Sequence, residues 1–151
     1  MATTSLMTNC PACGAKNRLP LEKIGQAGKC GKCGATLETR EFFSNGPVEV
    51  GEGRFDLLTR TGRRPVLVDF WAGWCAPCSQ LAPLLEQLAS ELSGRLLVIK
   101  VDTESAPMIA ARYGIQAIPT LVLLRSGIEV DRLTGVPPLA ALRARIERFL
   151  D

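Results

Sequence analysis

Apolar positions in this chain follow two rhythms, and from residue 65 onward the two alternate. Nearly continuous apolar runs belong to strands buried on both faces, whereas apolar residues spaced by three and four fall on one face of a helix. The runs Val66–Trp71 and 96–101 are therefore predicted as central strands. Between them a helix is predicted over 75–92, with Leu81, Leu84, Leu85, Leu88 and Leu92 on its buried face, a bend at Pro83 and Gly94 just past its end. The same reading predicts a short edge strand at 48–50, helices over 53–61 and 106–113, and a hairpin of 120–124 with 129–133 across Ser126 and Gly127. A last helix over 138–150 is expected to bury Leu139, Leu142, Ile146 and Phe149. Strands alternating with helices place residues 48–151 in the α/β class, as one domain.

The first 40 residues carry too few apolar side chains to fold by burial alone. What they repeat is a cysteine knuckle, Cys10-Pro-Ala-Cys13-Gly and Cys30-Gly-Lys-Cys33-Gly, with a 16-residue spacer. Two pairs at this spacing fit a four-cysteine zinc site in which Cys10, Cys13, Cys30 and Cys33 hold one structural or regulatory Zn2+. The trailing glycines Gly14 and Gly34 let backbone amides approach the sulfurs. Metal binding then supplies the missing folding free energy, ~10 kcal/mol or more. Free thiols and two disulfides are the competing states of these four residues. Residues 41–47 read as a linker, with turn chemistry at Asn45-Gly46-Pro47 and with Phe42 and Phe43 as candidates to dock on a domain surface.

A third pair, Cys75 and Cys78 in Trp74-Cys-Ala-Pro-Cys, stands where a strand turns into a helix. Cysteines three apart in the first turn of a helix are close enough to form and break a disulfide without refolding the domain. Free amides and the macrodipole at the helix start stabilise the thiolate of the first, so Cys75 is expected to be the exposed nucleophile and Cys78 the shielded resolving thiol. A structural disulfide is the plain alternative.

At this point the chain resembles the thioredoxin family, over roughly residues 47–151, and its zinc module makes it similar to the thioredoxin 2 subtype. Besides the dithiol, Asp69 matches the family's buried carboxylate, Pro83 its kinked helix, Ile118-Pro119-Thr120 its cis-proline, and Gly127 and Gly135 two family glycines. Ala76 replaces the usual glycine, and Ser79 stands where many relatives have lysine. The resemblance implies the thioredoxin fold, a central mixed sheet flanked by helices, with a small zinc-ribbon-like module at residues 1–40. It implies reduction of disulfides in target proteins by Cys75 and Cys78, with regeneration by an NADPH-dependent thioredoxin reductase and no cofactor bound for catalysis. Asp69, with Lys100 as its charge partner, is expected to accept the Cys78 proton, because a desolvated carboxylate has a raised pKa. Trp74, Ile118, Pro119, Gly135 and Val136 are expected to form a shallow apolar groove for an extended target peptide.

Composition narrows the rivals. The chain has 151 residues, 46% hydrophobic, without an apolar stretch near the ~18 residues of a membrane span, so no membrane partner is expected. The start shows no secretory pattern, which makes a cytoplasmic location and reduced thiols the expectation. Net charge is +3, with +4 falling on residues 1–40. Four zinc-bound thiolates would cut that excess to +2 on adding the ion, so no nucleic-acid partner is expected. A monomer is the expected state. There is no histidine, which excludes His-ligated zinc and the histidine-containing motif of strongly oxidising thiol enzymes. A zinc-knuckle binding module on a thioredoxin scaffold and a thiol oxidase or isomerase are the alternative readings. Arg143, Arg145 and Arg148 read as a solvated helix face.

Overall fold

The computed structural model describes residues 5–10, 12–20, 28–37, 46–60 and 64–150. Phe42, Phe43 and Asn45 of the expected linker lie outside the described residues.

The cysteine-rich segment forms two antiparallel hairpins, β1 (Ser5–Asn9) with β2 (Lys16–Pro20) and β3 (Gly28–Lys29) with β4 (Thr36–Leu37). Each knuckle is the loop of one hairpin. The Cys10 N–H donates to the Ala15 carbonyl at 2.8 Å and the Gly14 N–H to the Cys10 carbonyl at 2.8 Å. The second knuckle repeats this, Cys30 to Ala35 at 2.8 Å and Gly34 to Cys30 at 2.9 Å. Gly14 and Gly34 adopt φ of 75° and 76°, which an L side chain resists, so both loops can close this way only on glycine. The knuckles were legible in the sequence, but their strands were not, β3 and β4 being two residues long and β1 and β2 lacking apolar alternation.

The larger unit is a five-stranded sheet in the order β5-β7-β6-β8-β9. Its strands are β5 (Val48–Glu49), β6 (Val66–Trp71), β7 (Leu97–Asp102), β8 (Thr120–Arg125) and β9 (Ile128–Thr134). The first three run parallel, β8 is antiparallel to β6, and β9 to β8, so the sheet is mixed as expected. The helices are α1 (Glu52–Thr59), α2 (Ala76–Glu91), α3 (Pro107–Arg112) and α4 (Leu139–Glu147).

Side-chain alternation along β6 divides the core in two. Val66, Val68 and Phe70 pack with Phe55 and Leu58 of α1 and Ile109 of α3. Leu67 packs with Leu81, Leu85 and Leu88 of α2 and with Leu142 and Ile146 of α4. Those leucines are fully buried, and each contributes about 1.5–3 kcal/mol. Helix α2 forms because this leucine spacing gives it a face to bury, and it ends at the C-cap Leu92, with Gly94 at φ 85° redirecting the chain. Pro83 lies inside α2 and supplies no N–H to its ladder. At the β8–β9 turn Ser126 and Gly127 both have positive φ, 53° and 79°, the primed turn whose twist matches a two-residue hairpin.

Candidate functional site

The dithiol sits at the carboxyl end of β6, the central strand. The Cys75 N–H donates to the Ala72 carbonyl at 3.2 Å, closing the loop that turns β6 toward α2. Cys75 then becomes the N-cap of α2, with extended backbone, and its sulfur accepts the Cys78 N–H at 3.2 Å. The orphan amides of a helix start are thereby offered to a sulfur, the arrangement that stabilises a thiolate. Pro77 lies in the first turn, where a missing N–H costs little. Cys75 and Cys78 are joined in a disulfide with their Cα atoms 5.3 Å apart. The expected contrast in exposure is not seen in this state: Cys75 is 4% and Cys78 6% exposed.

On β6, six residues before Cys75, Asp69 is 1% exposed and neither carboxylate oxygen has a hydrogen-bond partner among the described residues. Burial pushes its pKa up to about 6, and the nearby Lys100 charge opposes the rise. Lys100 is the register partner of Asp69 across β6 and β7, but its ammonium lies 4.5 Å from the centre of the Trp71 ring. The expected charge partner thus acts on Asp69 through space and not by a hydrogen bond, while its ammonium makes a cation–π contact with Trp71. Trp71 is two residues beyond Asp69 on the same strand, and its indole N–H is also buried without a partner among the described residues.

Just before β8, Ile118-Pro119 is a cis peptide, as the resemblance implied. The Gly135 N–H donates to the Pro119 carbonyl at 2.8 Å, which joins two of the expected groove residues directly. Trp74 is 70% exposed, and Val136 is also exposed, on the residue after Gly135. Trp74 and Ile118 line an open cleft of about 420 Å³ with Thr103, Ala110, Ile115, Gln116 and Ala117. Sequence reasoning missed the last five, and also Glu104, whose Oε1 accepts the Trp74 Nε1–H at 2.7 Å.

The four remaining cysteines are free of disulfides, and their sulfurs all lie within 4.8 Å of one another. Cys10 and Cys33 sulfurs are 3.6 Å apart, and Cys13 and Cys30 sulfurs 3.7 Å apart. A tetrahedral zinc with Zn–S bonds of about 2.3 Å requires sulfur–sulfur edges of about 3.8 Å, so the donor set fits that ion. Backbone N–H groups point at the sulfurs, Ala12 to Cys10 and Lys32 to Cys30, each at 3.4 Å. With the Cys33 amide first, then the Asn17 side chain and the Lys32 amide, such donors hold the Cys30 thiol down at about 6.

The arginines of α4 are not simply solvated. Arg143 binds Glu91 of α2 at 2.5 Å, and Arg145 binds Asp131 of β9 through two bonds of 2.5 and 2.9 Å.

Two family models match the chain in separate places. The Thioredoxin model covers residues 47–148, and the model described as Thioredoxin 2, N-terminal covers residues 9–35. Thioredoxin C-3 of Corynebacterium nephridii is 38% identical over 143 residues, 94% of this chain and 91% of that protein. A thioredoxin of a Synechocystis species is 41% identical over 102 residues, 68% of this chain and 95% of its own length. Among solved structures, a mutant thioredoxin from Halobacterium salinarum matches with a TM-score of 0.65 at 34% identity, covering 71% of this chain and 93% of that one. The chain belongs to the thioredoxin family of thiol-disulfide oxidoreductases, in the thioredoxin 2 branch that carries an N-terminal ribbon.

Proposed function

We propose that the protein reduces disulfides in target proteins by a two-step exchange at Cys75 and Cys78. The observation that carries this reading is the Cys75 sulfur at the N-cap of α2, accepting the Cys78 N–H at 3.2 Å. In the reduced protein the Cys75 thiolate attacks one sulfur of a target disulfide, forming a mixed disulfide and expelling the other target sulfur as a thiolate, which takes up a proton. Asp69 accepts the Cys78 proton. The Cys78 thiolate then attacks the Cys75 sulfur, releasing the second target thiol and leaving the Cys75–Cys78 disulfide. Two electrons, delivered from NADPH through a thioredoxin reductase, restore the dithiol. Trp74, Ile118, Pro119, Gly135 and Val136 form the docking surface for the extended target segment, and the cleft shared by Trp74 and Ile118 widens it.

The second part of the proposal is that Cys10, Cys13, Cys30 and Cys33 hold one zinc ion, supported by their mutual distances and by the ribbon match. The ion supplies cross-linking of the two hairpins and no redox chemistry. The assignment of residues 1–40 and 48–151 to separate units and a cytoplasmic location belong to this reading as well. The test is a disulfide-reduction assay on a disulfide-bonded protein, with metal content measured on the same preparation. Turnover with one zinc per chain is expected. Absence of turnover by the pre-reduced protein overturns the first part, and absence of bound metal in protein purified without chelator overturns the second.

A further inference from the structure

The two knuckles are related by an internal repeat that holds bond for bond until the fourth residue after each second cysteine. Cys10, Ala12, Gly14 and Ala15 correspond to Cys30, Lys32, Gly34 and Ala35, with matching backbone bonds and matching N–H to sulfur contacts. The repeat then places Asn17 opposite Leu37. Leu37 is buried in the small apolar cluster with Cys10 and Cys30, as a core leucine should be. Asn17 departs from this pattern and reaches into the other knuckle.

Both ends of the Asn17 amide are engaged. Its Oδ1 accepts the Gly31 N–H at 2.9 Å, and its Nδ2 donates to the Ala15 carbonyl at 3.1 Å and to the Cys30 sulfur at 3.4 Å. The partners fix the orientation. Reversing the amide would set its NH2 against the Gly31 N–H and its oxygen against the Ala15 carbonyl. The side chain therefore joins the strand after the first knuckle to the turn of the second, and it gives Cys30 a donor beyond the backbone amides that both knuckles supply.

We propose that Asn17 is a positioning residue of the metal site, clamping the second knuckle onto the first and making the buried Cys30 the most protected of the four sulfurs. This rests on the zinc reading above. Side chains that hold metal ligands by hydrogen bonds commonly account for 10–100-fold in metal affinity. An N–H donor to a metal-bound sulfur withdraws electron density from it and lowers its nucleophilicity. Cys10, equally buried, has backbone amide donors as Cys30 does but no side-chain amide beside them, while Cys13 and Cys33 are exposed. An aspartate in this place would lose both donors and add a negative charge beside four thiolates, so the requirement is for an amide.

The test compares full-length wild type, Asn17→Ala and Asn17→Leu, the last restoring the repeat. Zinc affinity is measured by chelator competition, the sulfur-to-cobalt charge-transfer band is recorded after cobalt substitution, and alkylation of the zinc-loaded protein is mapped by cysteine. Both variants should bind zinc roughly 10-fold or more weakly. Their charge-transfer bands should move to lower energy, and Cys30 should be alkylated as fast as Cys10 instead of more slowly. A purely structural role would weaken binding but leave the band and the Cys30 to Cys10 ratio as in wild type, and that result overturns the proposal. Unchanged affinity in both variants does so too. If a variant fails to hold any metal, the wild-type Cys30 to Cys10 ratio decides alone, equal rates counting against it. Wild type without metal fails the zinc reading itself, which separates the two.

Discussion

The Trp74 indole is tethered to Glu104, 30 residues away, by a 2.7 Å hydrogen bond between Nε1 and Oε1. Glu104 is itself steadied by its backbone N–H, which donates to the Asp102 carboxylate at 2.9 Å. An indole that is 70% exposed is thus tethered at the rim of the cleft it lines. Glu104→Leu should release it, lowering kcat/KM for a protein disulfide by about fivefold, the equivalent of about 1 kcal/mol. Glu104→Gln, which keeps an acceptor, should recover most of the loss. Steady-state kinetics with tryptophan fluorescence anisotropy checks both, and equal rates for Leu and Gln would falsify the tether.

Cys75→Ser should abolish disulfide reduction, whereas Cys78→Ser should still attack and accumulate mixed disulfides with targets. Mass spectrometry of affinity-captured protein reads the outcome. Equal trapping by the two variants would mean that the roles are reversed or shared.

Asp69→Asn should slow release of the mixed disulfide by about 100-fold near neutral pH, the lower range for a lost general base. The deficit should shrink toward pH 9, where a thiol of ordinary pKa, about 8.5, ionises without help. Stopped-flow measurement across that range tests it, and a rate ratio independent of pH would assign Asp69 a purely structural part.

The same substitution should make the oxidised protein more stable above pH 6. With a folded pKa of about 6 against a model value of 3.8, Asp69 holds its proton longer in the folded than in the unfolded chain. Its contribution is therefore fully present below pH 4, is lost as pH rises through 6, and amounts to about 3 kcal/mol at most. Melting curves should show Asp69→Asn gaining on wild type at pH 8 and converging with it below pH 4. Asp131 has the opposite sign, because the Arg145 guanidinium holds its carboxyl below the usual range, so its contribution is lost on acidification.

Residues 46–151 alone should fold and reduce disulfides, since the two core clusters of the sheet draw on no residue before Val48 among the described residues. Chelation should instead unfold the hairpins of the cysteine segment, whose own cluster is Cys10, Cys30 and Leu37 with three partly buried neighbours. Circular dichroism and turnover of the truncated and chelated proteins provide the check.

The sequence revealed those parts of the site whose residues are neighbours in the chain. The run from Asp69 to Cys78 names the strand, the turn and both thiols, and the two knuckles name four ligands. Strand bounds followed from apolar runs because β6, β7 and β8 are buried on both faces. What stayed hidden depends on distant partners of ordinary residue type. Asn17 meets Gly31 and Cys30 across 14 and 13 residues, and Arg143 meets Glu91 across 52. The burial of Cys75 was hidden for another reason: a helix start is usually open, and the spacing of two cysteines says nothing of what packs over them.

Strand β6 is paired on both sides from Val66 to Phe70, Val68 facing Ile99 of β7 and Val122 of β8. Its amides can meet deuterium only when the whole sheet opens, so Val68 and Phe70 should mark the slowest-exchanging part of the molecule. The reactive loop is spliced directly onto that strand, with Trp71 and Cys75 only four residues apart. Chemistry that makes and breaks a bond at every turnover is therefore anchored to the segment that forgets its isotopes last.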